Sequence, residues 1–409
     1  MPVADEPLLR VSTPKDTPVL FLGLVFVAKL LCAAEVNVLY TFVPFLSHDR
    51  HLSIVQYRYS LMALEISAVF PALFPLDRLP LRCFTVFSQV VFALSCVLPP
   101  VGSGLWALCA VRFVTGLMFT CLTILSTKII SELVSLERRT WILALMELSW
   151  TGGTFCMSLA GVLLDSTGII ATDSILAVSV LLTAMGMWIA WPPGLMVHPK
   201  VDSGRGNAVG TRSGLLWRGD FLLAVFAGST TLGLQSLFMT RYGGWLEEGF
   251  SFNPTWTGLF TNAIAIGNLI GNGLTQGLAA SIGMEDRVAV GVLLLGVLVT
   301  MSLICASGSV VLTFMLVLLY SASVESTFLN ILGYLSRICD GEAHVTGMAV
   351  YFCAIAVTRC AGNFVAPYPS MTWLFGGSAL TFLVCALMQI MSIFLHRREG
   401  ATSAAPNVP

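Results

Sequence analysis

Four carboxylates stand alone inside long apolar stretches of this chain: Glu35, Glu65, Glu147 and Glu325. Lys29, Arg112 and Arg359 are cations in similar surroundings, and Gln235 is an isolated amide in another such run. Holding a charge in an apolar medium is costly, so such side chains face a polar interior and by default mark a path for a proton or a solute. The chemistry open to them is proton exchange, recognition of a charged ligand, or an ion-paired clamp between helices. No nucleophile–base arrangement and no metal-ligand spacing accompanies them, so neither a catalytic residue nor a metal or other cofactor is assigned.

Depth along each stretch suggests partners. Counting 1.5 Å per residue from position 18 puts Glu35 about 26 Å in. Arg112 lies at comparable depth, some seven residues inside the end of its own run. An ion pair between them would offset much of the cost of burying each, and a proton or an anionic solute could compete for it; the same pair could serve as a static clamp. Glu65 and Glu147 suit equally a titrating acid or a hydrogen-bonded structural one. Glu325 and Arg359 are the matching charges of the second half, at depths several ångströms apart. Gln235 reads either as a functional hydrogen-bonding group or as an interhelical bond. Asn268, Asn272 and Gln276 fall at i, i+4 and i+8, on one helix face. Small-residue spacing at Gly267, Gly271, Gly273 and Gly277 beside them suggests close packing, with the amides as glue.

The elements that position these residues follow from composition. The 409 residues are 56 % hydrophobic and 11 % charged, with a mean hydropathy of +0.86. One soluble core could not hide that much apolar surface, whereas lipid can. Segments of roughly 20 apolar residues suffice to span a bilayer, and only helices satisfy their own backbone there at this length. Twelve are expected, over 18–45, 54–75, 82–100, 105–131, 140–164, 168–192, 219–242, 254–279, 288–306, 309–335, 345–366 and 371–395. A Gly-, Ser- and charge-rich linker at 194–218 divides them into bundles 18–193 and 219–395, with tails 1–17 and 396–409. Basic residues crowd the side bearing both tails, leaving little beyond Arg50, Arg58 and Arg241 opposite, so both termini are expected in the cytoplasm.

Several classes lose support. The first 17 residues are polar, and the run after them is too long for a cleavable signal core. There is no Gly-x-x-x-x-Gly-Lys-Ser/Thr loop, so any pumping must draw on a gradient rather than on ATP held here. A net charge of −1 with no basic stripe gives no sign of a nucleic-acid partner. No histidine sits mid-span, which argues against a histidine proton relay or a histidine-dependent membrane acyltransferase. The 11 cysteines lie mostly in apolar runs, as at Cys32, Cys96, Cys109, Cys121, Cys156 and Cys353, and suit small core residues better than a disulfide framework.

Local motifs add a resemblance. Asp77 and Arg78, with Arg82 four residues on, resemble the Gly-x-x-x-Asp-Arg-x-Gly-Arg-Arg loop of the major facilitator superfamily, with Leu73 and Pro80 where glycines are usual. Arg112 and Gly116 are similar to its Arg-x-x-x-Gly motif, and Glu137–Arg138 opens span five as in that family. Gly152, Gly153, Cys156, Ala160 and Gly161 resemble its glycine-proline motif, with Met157 in place of the proline. The resemblance implies an all-α fold of two six-helix bundles around a central cavity lined by spans one, four, seven and ten, favouring Glu35, Arg112 and Glu325. It also implies a cytoplasmic gate at Asp77, Arg78 and Arg82, and alternating access.

The function expected is secondary active transport of a small organic solute by a monomer in the bilayer, coupled to protons, with Glu35 or Glu325 as the responsive acid and Arg112 as its partner. An uncoupled facilitator, or a transporter-like sensor or scaffold, is the alternative. Asp5, Leu8 and Leu9 resemble an endolysosomal sorting string, leaving the plasma membrane and the endolysosomal membrane both open.

Overall fold

A computed structural model describes residues 19–49, 52–73, 80–98, 104–134, 136–193, 195, 218–279, 285–305, 308–338, 342–365 and 370–403. The gate positions Asp77 and Arg78 and nearly all of the 194–218 linker lie outside them. The described residues form twelve membrane-crossing helices. In the first half α1 is Val19–Thr41, prolonged by Val43–Asp49; α2 is Ile54–Ser67 with Val69–Leu73; α3 is Leu81–Val97; and α4 is Leu105–Leu133. Leu136–Phe155 continues past Cys156 to residue 167 as α5, and residues 169–189 form α6. Between them Gly168 holds φ 79°, ψ 176°, a backbone conformation that glycine adopts without strain. The chain thus reverses direction at one residue, where the sequence predicts a gap of three.

In the second half α7 is Gly219–Phe250; α8 is Pro254–Phe260 with Asn262–Leu274 and a π turn at Thr275–Ala279; α9 is Glu285–Cys305; α10 is Val310–Ile338; α11 is Glu342–Val365; and α12 is Met371–Ser403. α7 runs past its predicted end at 242 because Gly243 lets it lie directly on the carbonyl of Thr41. It stops at Ser251, whose left-handed conformation closes the helix. Asn253 then caps α8 from the backbone of Trp256, with Pro254 at the first helical position, where its missing N–H costs nothing.

Packing repeats with an offset of six helices. α1 packs on α5 and α6, α2 on α4, and α3 on α4 and α6; α7 packs on α11 and α12, α8 on α10, and α9 on α10 and α12. Two bundles result, joined chiefly through α2 with α11 and α5 with α8. Glycines allow the tightest crossings. A Cβ on Gly116 of α4 would strike the carbonyl of Leu64 in α2, and one on Gly153 would come within 2.8 Å of the backbone of Ala34 in α1. Gly267 and Gly271 bring α8 onto α10, as their spacing predicts, whereas a Cβ on Gly273 would meet nothing within 4 Å.

Residues 19 and 403 end on the same side, here the terminal side; the other is the distal side. Trp106, Trp256 and Trp373, near the distal ends of α4, α8 and α12, are 84 %, 59 % and 78 % exposed, as suits indoles at a membrane–water boundary. Bonds between the bundles gather toward that end. Asp165 of α5 accepts from Asn253 Nδ2 at 3.0 Å and from Thr255 Oγ1 at 2.8 Å. Gly161 and Gly258 seat α5 against α8 with no room for a Cβ on either. The bonds named at the terminal side stay within one bundle. Arg82 donates to the Trp188 carbonyl at 2.8 Å, and Arg218 and His396 both meet Asp220.

Candidate functional site

Between the bundles lies a small hollow. From the first bundle, α1 contributes Asn37 and Tyr40, α2 Glu65, and α5 Trp150 and Thr154. From the second, α7 contributes Gln235, Ser236 and Met239, α8 Ile264 and Asn268, and α11 Arg359. The family resemblance implies walls from α1, α4, α7 and α10, but those observed come from α1, α2, α5, α7, α8 and α11. Close glycine crossings hold α4 against α2 at Gly116 and α10 against α8 at Gly267 and Gly271, and it is α2 and α8 whose residues line the hollow.

Glu65 and Arg359 meet across this cavity, with Nη1 3.7 Å from Oε1. That exceeds the 2.7–2.9 Å typical of a charge-assisted hydrogen bond, so the pair is held loosely. Glu65 is also the acceptor for Tyr40, whose hydroxyl donates at 2.5 Å. Asn363 of α11 donates to that same hydroxyl at 3.2 Å, while its own carbonyl accepts from Ser236 and Thr240 of α7. One polar chain thus runs from α7 through α11 and α1 to α2, crossing the bundle boundary between Asn363 and Tyr40. Such chains polarise along their length, and a change at one end is felt at the other. The Arg359 guanidinium also stands 5.9 Å from the centre of the Trp150 ring, within cation–π range.

Toward the terminal side, Lys29 of α1 pairs with Glu147 of α5 at 3.1 Å, and the Glu147 side chain is 43 % exposed. Glu147 lies three residues before Trp150, hence on the same helix face and nearer the terminal side. Glu325 of α10 feels the charges of Glu147 and Arg359. Among the described residues it makes neither a hydrogen bond nor an ion pair. Of the four lone carboxylates it alone has no cation in contact.

Glu35 and Arg112 do form an ion pair, at 3.4 Å, but inside the first bundle, 0 % and 1 % exposed and away from the cavity. Asp173 of α6 and Tyr57 of α2 also act on the guanidinium. A cation set among two carboxylates and a phenol ties α1, α4, α6 and α2 together. Gln235 lines the cavity; Arg82 joins α3 to α6, with its guanidinium 4.1 Å from the centre of the Trp188 ring.

Sequence reasoning passed over Asp173, although a lone carboxylate in an apolar run is the same signal that singles out Glu35. It also placed Arg58 at the membrane boundary, whereas Arg58 is buried and donates to the Thr240 carbonyl across the bundle interface at 3.4 Å. Asn268, expected as packing glue, is 1 % exposed, lines the cavity, and has no hydrogen-bond partner for either amide atom among the described residues.

This arrangement can bind a small polar molecule between two bodies and couple its binding to the contacts that join them. No curated protein matches the chain. The model of the Major Facilitator Superfamily matches it over residues 25–363, from α1 into α11. By that match and its twelve helices in two bundles, the chain belongs to the Major Facilitator Superfamily, a class of multi-pass secondary transporters rather than enzymes.

Proposed function

We propose that this protein moves a small organic solute by alternating access, with proton coupling, and that the solute binds where Glu65 faces Arg359. Residues 18–193 and 219–395 are the moving bodies, 194–218 is the linker, and the basic terminal side is cytoplasmic. The observation that carries this reading is the cavity itself: ionisable groups from both bundles line one hollow, joined by the loose Glu65–Arg359 ion pair. Rocking the bundles about that pair exposes the hollow to either side in turn.

Glu325 carries the proton. Glu35, Glu65 and Glu147 each have a cationic partner, while Glu325 faces Glu147 and Arg359 without touching either, so its protonation state alters the balance between them. Glu35 and Arg112 brace the first bundle as it moves, and Arg82, with Asp77 and Arg78, belongs to the cytoplasmic gate. The monomer contains the complete path.

The test uses proteoliposomes loaded with a mixed pool of small metabolites, followed by mass spectrometry of what leaves or accumulates under an imposed pH gradient. At least one solute should follow the gradient with wild-type protein. With Glu325→Gln, downhill exchange should persist while the gradient response disappears. Unaltered gradient dependence in that variant contradicts the role given to Glu325, and no solute movement at all contradicts transport.

A further inference from the structure

From the unused hydrogen-bonding groups around the cavity, we infer that the solute is a neutral zwitterion of the α-amino-acid type, one ammonium and one carboxylate on a small molecule with an apolar side group. This rests on the transport reading above and narrows it to a substrate class.

Three observations lead there. First, Arg359 presents a guanidinium whose contacts among the described residues are the 3.7 Å ion pair and the Trp150 ring; none of its five N–H donors makes a hydrogen bond there. That planar fork suits bidentate capture of a carboxylate. Second, Glu65 stands opposite as the acceptor that a ligand ammonium needs, with Tyr40 and Asn363 holding it in place. Third, both amide atoms of Asn268 are buried at the cavity wall without a partner. Native proteins rarely leave such groups unsatisfied, so an unpaired donor and acceptor together at a cavity wall point to a ligand that pairs with them.

Charge and motion narrow the class further. Glu65 and Arg359 belong to different bundles and to helices that join them, so a motion that separates the bundles at this crossing draws the two charges apart. Parting the pair leaves the nearly buried Glu65 without its cation and Arg359 without its anion, which is unfavourable. A ligand carrying both signs replaces each partner with one of its own ends. A simple anion leaves Glu65 unmatched, a simple cation leaves Arg359 unmatched, and a sugar matches neither. Once the proton is on Glu325, the remaining charges (Lys29 with Glu147, Arg359 with Glu65) cancel, which favours a ligand of zero net charge. Trp150, Met239 and Ile264 supply the apolar wall for its side group.

The experiment measures binding of neutral amino acids (leucine, methionine and phenylalanine among them) to the purified full-length protein by thermal shift and isothermal titration. Each is compared with its amino alcohol, which lacks the carboxylate, and its N-acetyl derivative, which lacks the ammonium. At least one parent compound should bind, with both of its derivatives about tenfold weaker or worse. Asn268→Ala should weaken the parent about tenfold while leaving the melting temperature of the ligand-free protein unchanged. Derivatives that bind as well as their parents overturn the zwitterion, and an unaltered affinity in Asn268→Ala overturns the third observation. If no neutral amino acid binds while the metabolite-loaded proteoliposomes still show transport, the class is wrong and the transport reading stands. Absence of transport in that assay removes the reading beneath it.

Discussion

Glu65→Gln removes one charge from the cross-bundle pair while keeping nearly the same shape. At 3.7 Å and an effective dielectric of 20, the Glu65–Arg359 attraction is about 4.5 kcal/mol before any cost is subtracted. Two effects reduce what the substitution forfeits. The Arg359 side chain is 24 % exposed, so water screens the charge left behind, and a glutamine oxygen still accepts from Tyr40. A net loss of about 1–2 kcal/mol is therefore expected, with the desolvation cost of the pair absorbing the remainder. In the proposed cycle the distal side, where the described inter-bundle bonds gather, is the closed one and the pair parts as it opens, so that loss shifts the closed-to-open ratio about 5- to 30-fold toward distal-open. Spin labels at Ser166→Cys and Glu248→Cys, both exposed at the distal ends of α5 and α7, report the gap once exposed Cys83 has been replaced. Pulsed dipolar spectroscopy should show a longer-distance population growing in Glu65→Gln. A distance distribution identical to that of the unsubstituted background would refute the claim that this pair holds the distal side shut.

Other perturbations separate bracing from gating. Arg112→Met should cost about 3–5 kcal/mol, because it leaves Glu35 buried without its cation and Asp173 with the same loss; Glu35→Gln should cost less, since Asp173 still faces the guanidinium. Thermal denaturation of the two purified variants checks the order. Gly258→Val drives a side chain into the carbonyl of Met157 at the α5–α8 crossing, where overpacking typically costs about 1–3 kcal/mol. It should widen the same label distance by a route independent of charge. Lys29→Glu should impair transport through like-charge repulsion with Glu147, and adding Glu147→Lys should recover part of the rate if the two act as a pair.

Helix count, the reversal near residue 168 and the depths of the buried charges were legible in the sequence, because lipid imposes a length and a helical backbone on each apolar run. Depth alone suggested Glu35 with Arg112, and the two do meet at 3.4 Å. Depth says nothing about which way a side chain points around its helix or which helix stands opposite. That is why Glu65 with Arg359 went unread: their meeting depends on α2 packing against α11, nearly 300 residues later in the chain. The amide face of α8 was visible as a stripe, yet its two ends behave differently. Gln276 donates to Asn272 at 2.6 Å, while Asn268 faces the hollow. Periodicity could not divide those roles, since both positions share one helix face.

If the hollow between the bundles opens to each side in turn, a thiol placed in it by Gln235→Cys must be reachable from both. In oriented proteoliposomes made with the other exposed and half-buried cysteines replaced, a membrane-impermeant maleimide should label position 235 rapidly from the terminal side. Labelling from the distal side should be slower and should rise when Glu65→Gln is added. A cysteine at Val36, 2 % exposed within the core, should stay unlabelled throughout. Failure to label position 235 from either side, under conditions that label Glu248→Cys, would contradict the account.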